Sequence, residues 1–163
     1  IFASIPGYVT QTHAYTSQGE YWAGTWIKDH TPETAYLVTD PGTGYVMRAL
    51  TLRNASAYFM LPDGRAPADP SAVYPNIVGL LFAIFQSTNA REAWNRTIAL
   101  GFTDVYVVLS TRTVLWAQSN SSILVTHPFP GIDFSGELRV FERPWFEPAY
   151  QSAEVYVFRV LPA

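Results

Sequence analysis

The first regular pattern of apolar and polar positions is helical and covers residues 16–32. Trp22 and Trp26 lie four residues apart, so they share one helix face, and we expect that face to pack in the core. Ser17 and Glu20 have the spacing of a capping box, in which each side chain bonds a free backbone amide at the helix start. The Thr-Pro pair that closes the pattern ends the helix, because the residue before a proline avoids helical angles.

Further along the chain, short apolar runs alternate with helical runs. The third predicted strand is apolar enough for a sheet covered on both faces. Gly101 follows the longest helical pattern and is a helix-stop glycine. Residues 62–75 contain four prolines and are predicted to form a loop. The predicted order is strand 34–40, a short helix 43–52, strand 55–61, a long helical stretch 76–100 and strand 103–110. The long helical stretch is predicted to break near residues 87–89.

The last third of the chain favours strands, with candidates at 121–126, 136–142 and 153–161. The final connections are too short for parallel crossovers, so we expect antiparallel pairs there. The predicted fold class is α/β: a three-layer sandwich with a mixed sheet, central parallel strands and an antiparallel, β-rich C-terminal edge. The 163 residues fit a single domain, in which residues 1–15 form an extended N-terminal arm.

The composition is unusual for a domain surface, because only 14% of the residues are charged, whereas 15% are aromatic. Such a surface is either neutral and rich in Ser, Thr and Tyr, or covered by a partner, by copies of the chain, by glycan or by a membrane face. The net charge of −3 and the scattered arginines exclude a nucleic-acid backbone as partner. The longest apolar run, 77–85, is far shorter than a membrane span.

Three of the five asparagines begin N-x-Ser/Thr sequons, which favours a chain that meets an N-glycosylation machinery outside the cytoplasm. The sequence starts at Ile1 and not at Met, so we expect a processed product or a fragment, with any membrane contact made through an upstream region. The candidate glycosylation sites are Asn54, Asn95 and Asn120.

A glycine-containing turn, DPGTGY at 40–45, joins the first strand to the second helix. It lacks the third glycine of a dinucleotide fingerprint and the Gly-Lys-Ser/Thr ending of a P-loop. Two interpretations stay open. The segment is either a tight turn, with proline fixing φ and a glycine at positive φ, or an anion- or acceptor-binding loop at a helix start. The candidate loop residues are Asp40, Gly42, Thr43, Gly44 and Tyr45.

No catalytic constellation emerges from the residue types and their spacing. The three histidines, at positions 13, 30 and 127, lack the spacing of helical metal ligands, so neither a metal nor another cofactor is expected. Trp145, Phe146 and Tyr150 are a candidate sugar-stacking platform, and aromatic packing beneath a hairpin is the alternative.

Residues 21–56, YWAGTWIKDHTPETAYLVTDPGTGYVMRALTLRNAS, and the closing AYQSAEVYVFRVLP resemble the extracytoplasmic C-terminal domains of multispanning membrane glycosyltransferases. That family includes the oligosaccharyltransferase catalytic subunit and related enzymes that use lipid-linked sugars. The resemblance implies an extracytoplasmic α/β domain that is inert alone, because the family's metal-binding acids lie in membrane-side loops. The family's Trp-Trp-Asp-Tyr-Gly acceptor element is replaced here by residues 39–45, without the paired tryptophans, so the resemblance does not carry acceptor recognition over.

We therefore expect a non-catalytic extracytoplasmic domain, on the cell surface or secreted, that acts as a binding and self-associating structural module. Its expected partners are copies of itself, as an oligomer or filament, and a candidate glycan. The alternative is an accessory substrate-recognition domain within an intact membrane glycosyltransferase. An independent enzyme acting on sugars or nucleotides has only the glycine turn and the C-terminal aromatic residues in its favour.

Overall fold

The computed structural model describes residues 16–56, 79–119 and 131–162. The arm at 1–15, the loop at 62–75, the candidate strand at 121–126 and Asn120 lie outside these ranges. The described elements, in chain order, are α1 (Gln18–His30), β1 (Tyr36–Val38), α2 (Pro41–Thr51), β2 (Asn54–Ala55), the helical segment α3 (79–85), α4 (Ala90–Ile98), β3 (Val105–Ser110), α5 (Thr111–Ser119), α6 (Ser135–Leu138), β4 (Phe146–Gln151) and β5 (Val155–Val160).

The five described strands form one mixed sheet in the order β2-β1-β3-β5-β4. β1 pairs in parallel with β2 and with β3, and Leu37 lies opposite Tyr106. β5 is antiparallel to both β3 and β4, and Val107 of β3 lies opposite Phe158. The predicted fold class is confirmed, including its parallel strands and its antiparallel C-terminal edge.

Two apolar cores cover the two faces of the sheet, because alternate strand residues point to opposite sides. The first core joins α1 and α2 to one face and contains Ala23, Ile27, Leu37, Met47, Ala55, Tyr106, Val108 and Val155. The second joins α3, α4, α5 and the segment 134–141 to the other face and contains Tyr36, Val107, Leu109, Phe85, Trp94, Trp116, Phe141, Phe146 and Phe158. No helix of the described residues is long and apolar enough to cross a membrane.

Helix α1 begins with the predicted capping box. The Ser17 hydroxyl accepts the Glu20 amide at 3.1 Å, and the Glu20 carboxylate accepts the Ser17 amide at 3.0 Å. The expectation that both tryptophans pack in the core is wrong for Trp22, which is 53% exposed. The buried stripe of α1 runs through Glu20, Ala23, Gly24 and Ile27, spaced as i, i+3, i+4 and i+7, and Trp22 falls outside it.

The break in the long helical stretch is confirmed, because residues 86–89 separate α3 from α4. Gly101 follows α4 with φ of +80°, as a helix-stop glycine does. The second predicted strand is described only as β2, which starts one residue earlier than expected.

The C-terminal prediction needs three corrections. The candidate strand at 136–142 is not a strand: its first residues belong to α6, and Phe141 is buried in the second core, so its apolar side chains pack from an irregular segment. Helix α5 directly follows β3 where a strand-rich region was expected. Strand β4 was not predicted; it lies at the sheet edge, contains Pro148, and has an irregular register between Pro148 and Tyr150.

Candidate functional site

The carboxyl ends of β1 and β3 are the place where this sheet would be expected to hold a ligand. From β1 the chain runs through α2 to β2, which lies on one side of β1 in the sheet. After β3 the chain runs to β4 and β5, which lie on the other side of β3. Ligands of open α/β sheets bind in the crevice where neighbouring strands diverge in this way. The residues at this edge therefore determine whether the crevice is available for chemistry.

Asp40 occupies the centre of this edge and is fully buried. It is the N-cap of α2, and its Oδ1 accepts the amides of Gly42 at 2.9 Å and Thr43 at 3.0 Å. Its Oδ2 accepts the hydroxyl of Thr113, in the first turn of α5, at 2.6 Å. An anion at the start of α2 would have to displace this carboxylate from the two amides.

The hydroxyl groups around Asp40 continue the network toward β3. Thr113 Oγ1 accepts the amide of Ser110 at 2.9 Å, and the hydroxyls of Ser110 and Thr43 lie 2.5 Å apart. The amide of Arg112 donates to Ser110 Oγ at 3.1 Å. These bonds join the first turns of α2 and α5 to the end of β3.

A buried ion pair lies on the same edge. The Arg112 guanidinium donates from Nε to Glu20 at 2.7 Å and from Nη2 at 3.1 Å, and the two side chains are 2% and 1% exposed. This two-bond geometry ties the start of α1 to the start of α5. The two opposite charges neutralise each other within the protein interior.

The glycines of the 40–45 segment act differently from the expected turn. Gly42 and Gly44 lie inside α2, and the described glycines with positive φ are Gly101 and Gly131, so the expected positive-φ glycine in this turn is wrong. The proline part of the expectation holds, because Pro41 occupies the first turn of α2. A Cβ on Gly44 would overlap the carbonyl oxygen of Ser56 and lie 2.7 Å from Thr39 Oγ1, so close packing of α2 on β2 requires glycine there.

The three residues of the candidate sugar platform do not come together. Trp145 packs on Trp94, with ring centroids 4.6 Å apart, and Phe146 is fully buried in the second core. Tyr150 packs against the first core, on the opposite face of the sheet, with its ring 5.7 Å from that of Trp26. This arrangement is the aromatic packing that was the alternative interpretation.

Two candidate glycosylation sites are accessible. Asn54 in β2 and Asn95 in α4 both have exposed side chains. The hydroxyl residues of their sequons are buried: Ser56 donates to the carbonyl of Leu37, and Thr97 to that of Ala93.

A shallow groove on the outer side of α1 and α2 was not predicted from the sequence. We call it the α1 groove; its volume is about 400 Å³, and it is lined by Thr16, Ser17, Gln18, Tyr21, Trp22 and Leu50. Tyr21 is 48% exposed, and its ring meets that of Trp22 edge to face, with centroids 5.4 Å apart. The offset of Trp22 from the apolar stripe of α1 was the sequence signal that could have revealed it.

Three described titratable groups have pKa values that are shifted by their surroundings. Burial raises the pKa of Tyr36 above 10.0, although a hydrogen bond with Ser56 opposes this shift. Hydrogen bonds from the backbone and hydroxyl of Thr88 lower the pKa of Glu92, and those from Ser135 lower the pKa of Asp133. Within the described ranges, no three His, Cys, Asp or Glu side chains converge to hold a metal ion.

Comparison of the sequence with models of known protein families and with curated proteins finds no match.

Proposed function

We propose that this chain is a non-catalytic extracytoplasmic α/β domain that works by binding and by self-association, as a structural module at the cell surface. The observation that carries the proposal concerns the buried acids and the arginine at the carboxyl ends of β1 and β3, which are bonded to partners within the fold. Asp40 accepts three hydrogen bonds there, and Glu20 and Arg112 neutralise each other. Groups used in this way support the fold and are not poised for acid-base or nucleophilic chemistry.

Self-association is supported by large apolar side chains that remain in contact with solvent on both helical layers. Leu52 is 80% exposed, and Leu80 and Ile98 are 51% and 40% exposed. Exposed apolar side chains favour contact between copies. The low fraction of charged residues also leaves little electrostatic repulsion between them.

Sedimentation velocity over a series of protein concentrations tests this part of the proposal. The average mass should rise with concentration, and replacing Leu52, Leu80 and Ile98 together by serine should lower it toward that of the monomer. Gln151→Ser, at an exposed polar position, is the matched control and should leave the mass distribution unchanged. A monomer at every concentration would refute self-association.

An extracytoplasmic location is supported by the accessible sequons at Asn54 and Asn95. The alternative function, an accessory domain of an intact membrane glycosyltransferase, is favoured by one observation. Three elements follow the order of the motifs on which the resemblance rests. They are a helix that ends before Thr31-Pro32, a strand that leads to Thr39-Asp40 and a helix that contains Gly44-Tyr45. Sequencing the gene upstream tests it: several apolar spans of ~20 residues each are expected. A signal sequence joined directly to this domain would contradict it.

A further inference from the structure

The α1 groove combines exposed aromatic rings with uncharged polar side chains. Trp22 and Tyr21 each leave about half of their surface in solvent, a large apolar exposure for two adjacent helix residues. Ser17 and Gln18 lie beside them in the same groove. Its volume of about 400 Å³ is within the range of small-ligand pockets.

The shape of the groove depends on close packing between α1 and α2. A Cβ on Gly24 would lie 2.8 Å from both Cβ and Cδ1 of Leu50, so glycine allows α2 to approach closely enough for Leu50 to reach the groove. The edge-to-face arrangement of Tyr21 and Trp22, at 73°, forms a corner of two aromatic surfaces. A ligand in this corner therefore meets apolar surface from both helices.

None of the described residues that line the groove has a charged side chain. The Glu20 carboxylate is paired with Arg112, and the Glu154 carboxylate accepts the amide of Gly19, next to Gln18, at 2.8 Å. An anionic ligand would therefore lose part of its hydration without gaining an opposite charge from the described lining residues. The side-chain amide of exposed Gln18 offers two donors and one acceptor oxygen, which match neutral hydroxyl groups.

We propose that the α1 groove binds a neutral oligosaccharide. One sugar ring would lie with its C–H face against Trp22, beside Tyr21 and Leu50, and its hydroxyls would bond Gln18 and the neighbouring polar groups. A sugar has both an apolar face and uncharged hydrogen-bonding edges, so it matches both halves of the groove. An apolar segment of a second copy would match only the aromatic residues and would offer no hydrogen bond to the Gln18 amide.

Titration of the unglycosylated, ¹⁵N-labelled chain tests the proposal. The probes are neutral oligomers of three kinds: α-1,4-linked glucose, β-1,4-linked N-acetylglucosamine and α-linked mannose. The readout in the parent chain is the indole N–H resonance of Trp22, identified by its loss in Trp22→Phe, and the affinity of every variant is measured by isothermal titration calorimetry. At least one oligomer should shift this resonance saturably, and Trp22→Ala should weaken that binding by roughly tenfold.

Matched variants separate the groove from the fold. Trp22→Phe keeps a flat ring and should retain most of the affinity, whereas Gln18→Ala should weaken it several-fold. Arg91→Ala removes an exposed side chain of α4, on the opposite helical layer, and should leave the affinity for the oligomer unchanged. Because Trp22 and Gln18 are exposed, their variants should unfold at the same temperature as the parent chain.

Three results would overturn the proposal: no shift with any of the oligomers, binding that persists in Trp22→Ala, or a Trp22 resonance that responds only to protein concentration. The last would identify the groove as a contact between copies. The inference goes beyond the proposed function and does not require self-association, so a monomeric chain that binds the oligomer would refute self-association and leave the groove assignment intact.

Discussion

The hydroxyl of Thr113 donates to the carboxylate of Asp40 across 2.6 Å, although 73 residues separate them in the chain. The same carboxylate caps α2, and the same hydroxyl accepts the amide of Ser110 at the end of β3. The starts of two helices and the end of a central strand therefore share one buried acid, in the place where related architectures bind ligands.

Removing this acid should destabilise the protein strongly. We expect Asp40→Ala to lower the free energy of unfolding by about 3 kcal/mol, because it removes a helix cap and leaves three buried donors without an acceptor. Urea denaturation measures the loss. Asn89→Ala, which removes the exposed cap of α4, is the matched control and should cost about 1 kcal/mol.

A double-mutant cycle isolates the bond between the two helices. Asp40→Asn and Thr113→Val should each destabilise the fold, and the double variant should lose about 1 kcal/mol less than the sum of the two. Strict additivity would mean that the Asp40–Thr113 contact does not couple α2 to α5.

The second prediction concerns Gly44. Gly44→Ala should lower the free energy of unfolding by more than about 3 kcal/mol or prevent folding, because its Cβ would overlap the backbone carbonyl of Ser56. Gly136→Ala, in α6, places a Cβ where nothing lies within 4 Å, and it should leave thermal stability unchanged or slightly raised. Equal melting temperatures for the two variants would contradict the close approach of α2 to β2.

The third prediction concerns the buried ion pair. Glu20→Gln should cost about 3 kcal/mol, because it leaves the Arg112 charge buried opposite a neutral amide. Glu147→Gln disrupts the exposed pair with Arg143 and should cost under about 0.5 kcal/mol in the same denaturation assay. A loss below about 1 kcal/mol for Glu20→Gln would show that the interior pair is relaxed or hydrated.

Tyr36 should make stability depend on alkaline pH. Its pKa is raised above 10.0 in the folded protein by burial, so the folded state keeps the phenol proton longer than the unfolded state does. By linkage, this contribution is fully present below about pH 10 and is lost as the pH rises through the folded-state pKa. Unfolding free energies measured through this range should fall less steeply for Tyr36→Phe than for the parent chain. An identical slope for Tyr36→Phe would remove Tyr36 as a cause.

The sequons give a fifth prediction. When the chain is secreted by a glycosylating host, mass spectrometry should show glycan on the exposed residues Asn54 and Asn95. Asn54→Gln and Asn95→Gln should each remove the mass of one glycan. Asn89→Gln, exposed but outside any sequon, should leave the mass of attached glycan unchanged. A secreted chain without glycan at either position would remove this support for an extracytoplasmic location.

Local signals predicted several elements before residue 111 well, because the interactions that define them lie close in sequence. The capping box at Ser17 and Glu20 and the helix-stop role of Gly101 depend on neighbouring residues alone. The all-apolar run in β3 similarly predicted a strand buried on both faces.

The C-terminal part and the site were harder to predict, because they depend on distant partners. Phe141 lies in an apolar run typical of a strand, yet it packs on Phe146 and Phe158 from an irregular segment. Nothing near Asp40 in the sequence identifies Thr113 as its partner, and the pairing of Glu20 with Arg112 spans 92 residues. The α1 groove was missed because the spacing of Trp22 and Trp26 was interpreted without the buried stripe through Ala23 and Ile27.

Edge strand β4 has a consequence for how copies can meet. Pro148 lacks an amide proton, and the irregular register beside it bends the strand, two features that protect natural sheets from pairing edge to edge. Pairing of β4 with a strand of another molecule through backbone hydrogen bonds is therefore disfavoured. A fibre or ring of these chains would have to be held together by helix surfaces and side chains, and its contacts could be tuned by single substitutions without unravelling the strands.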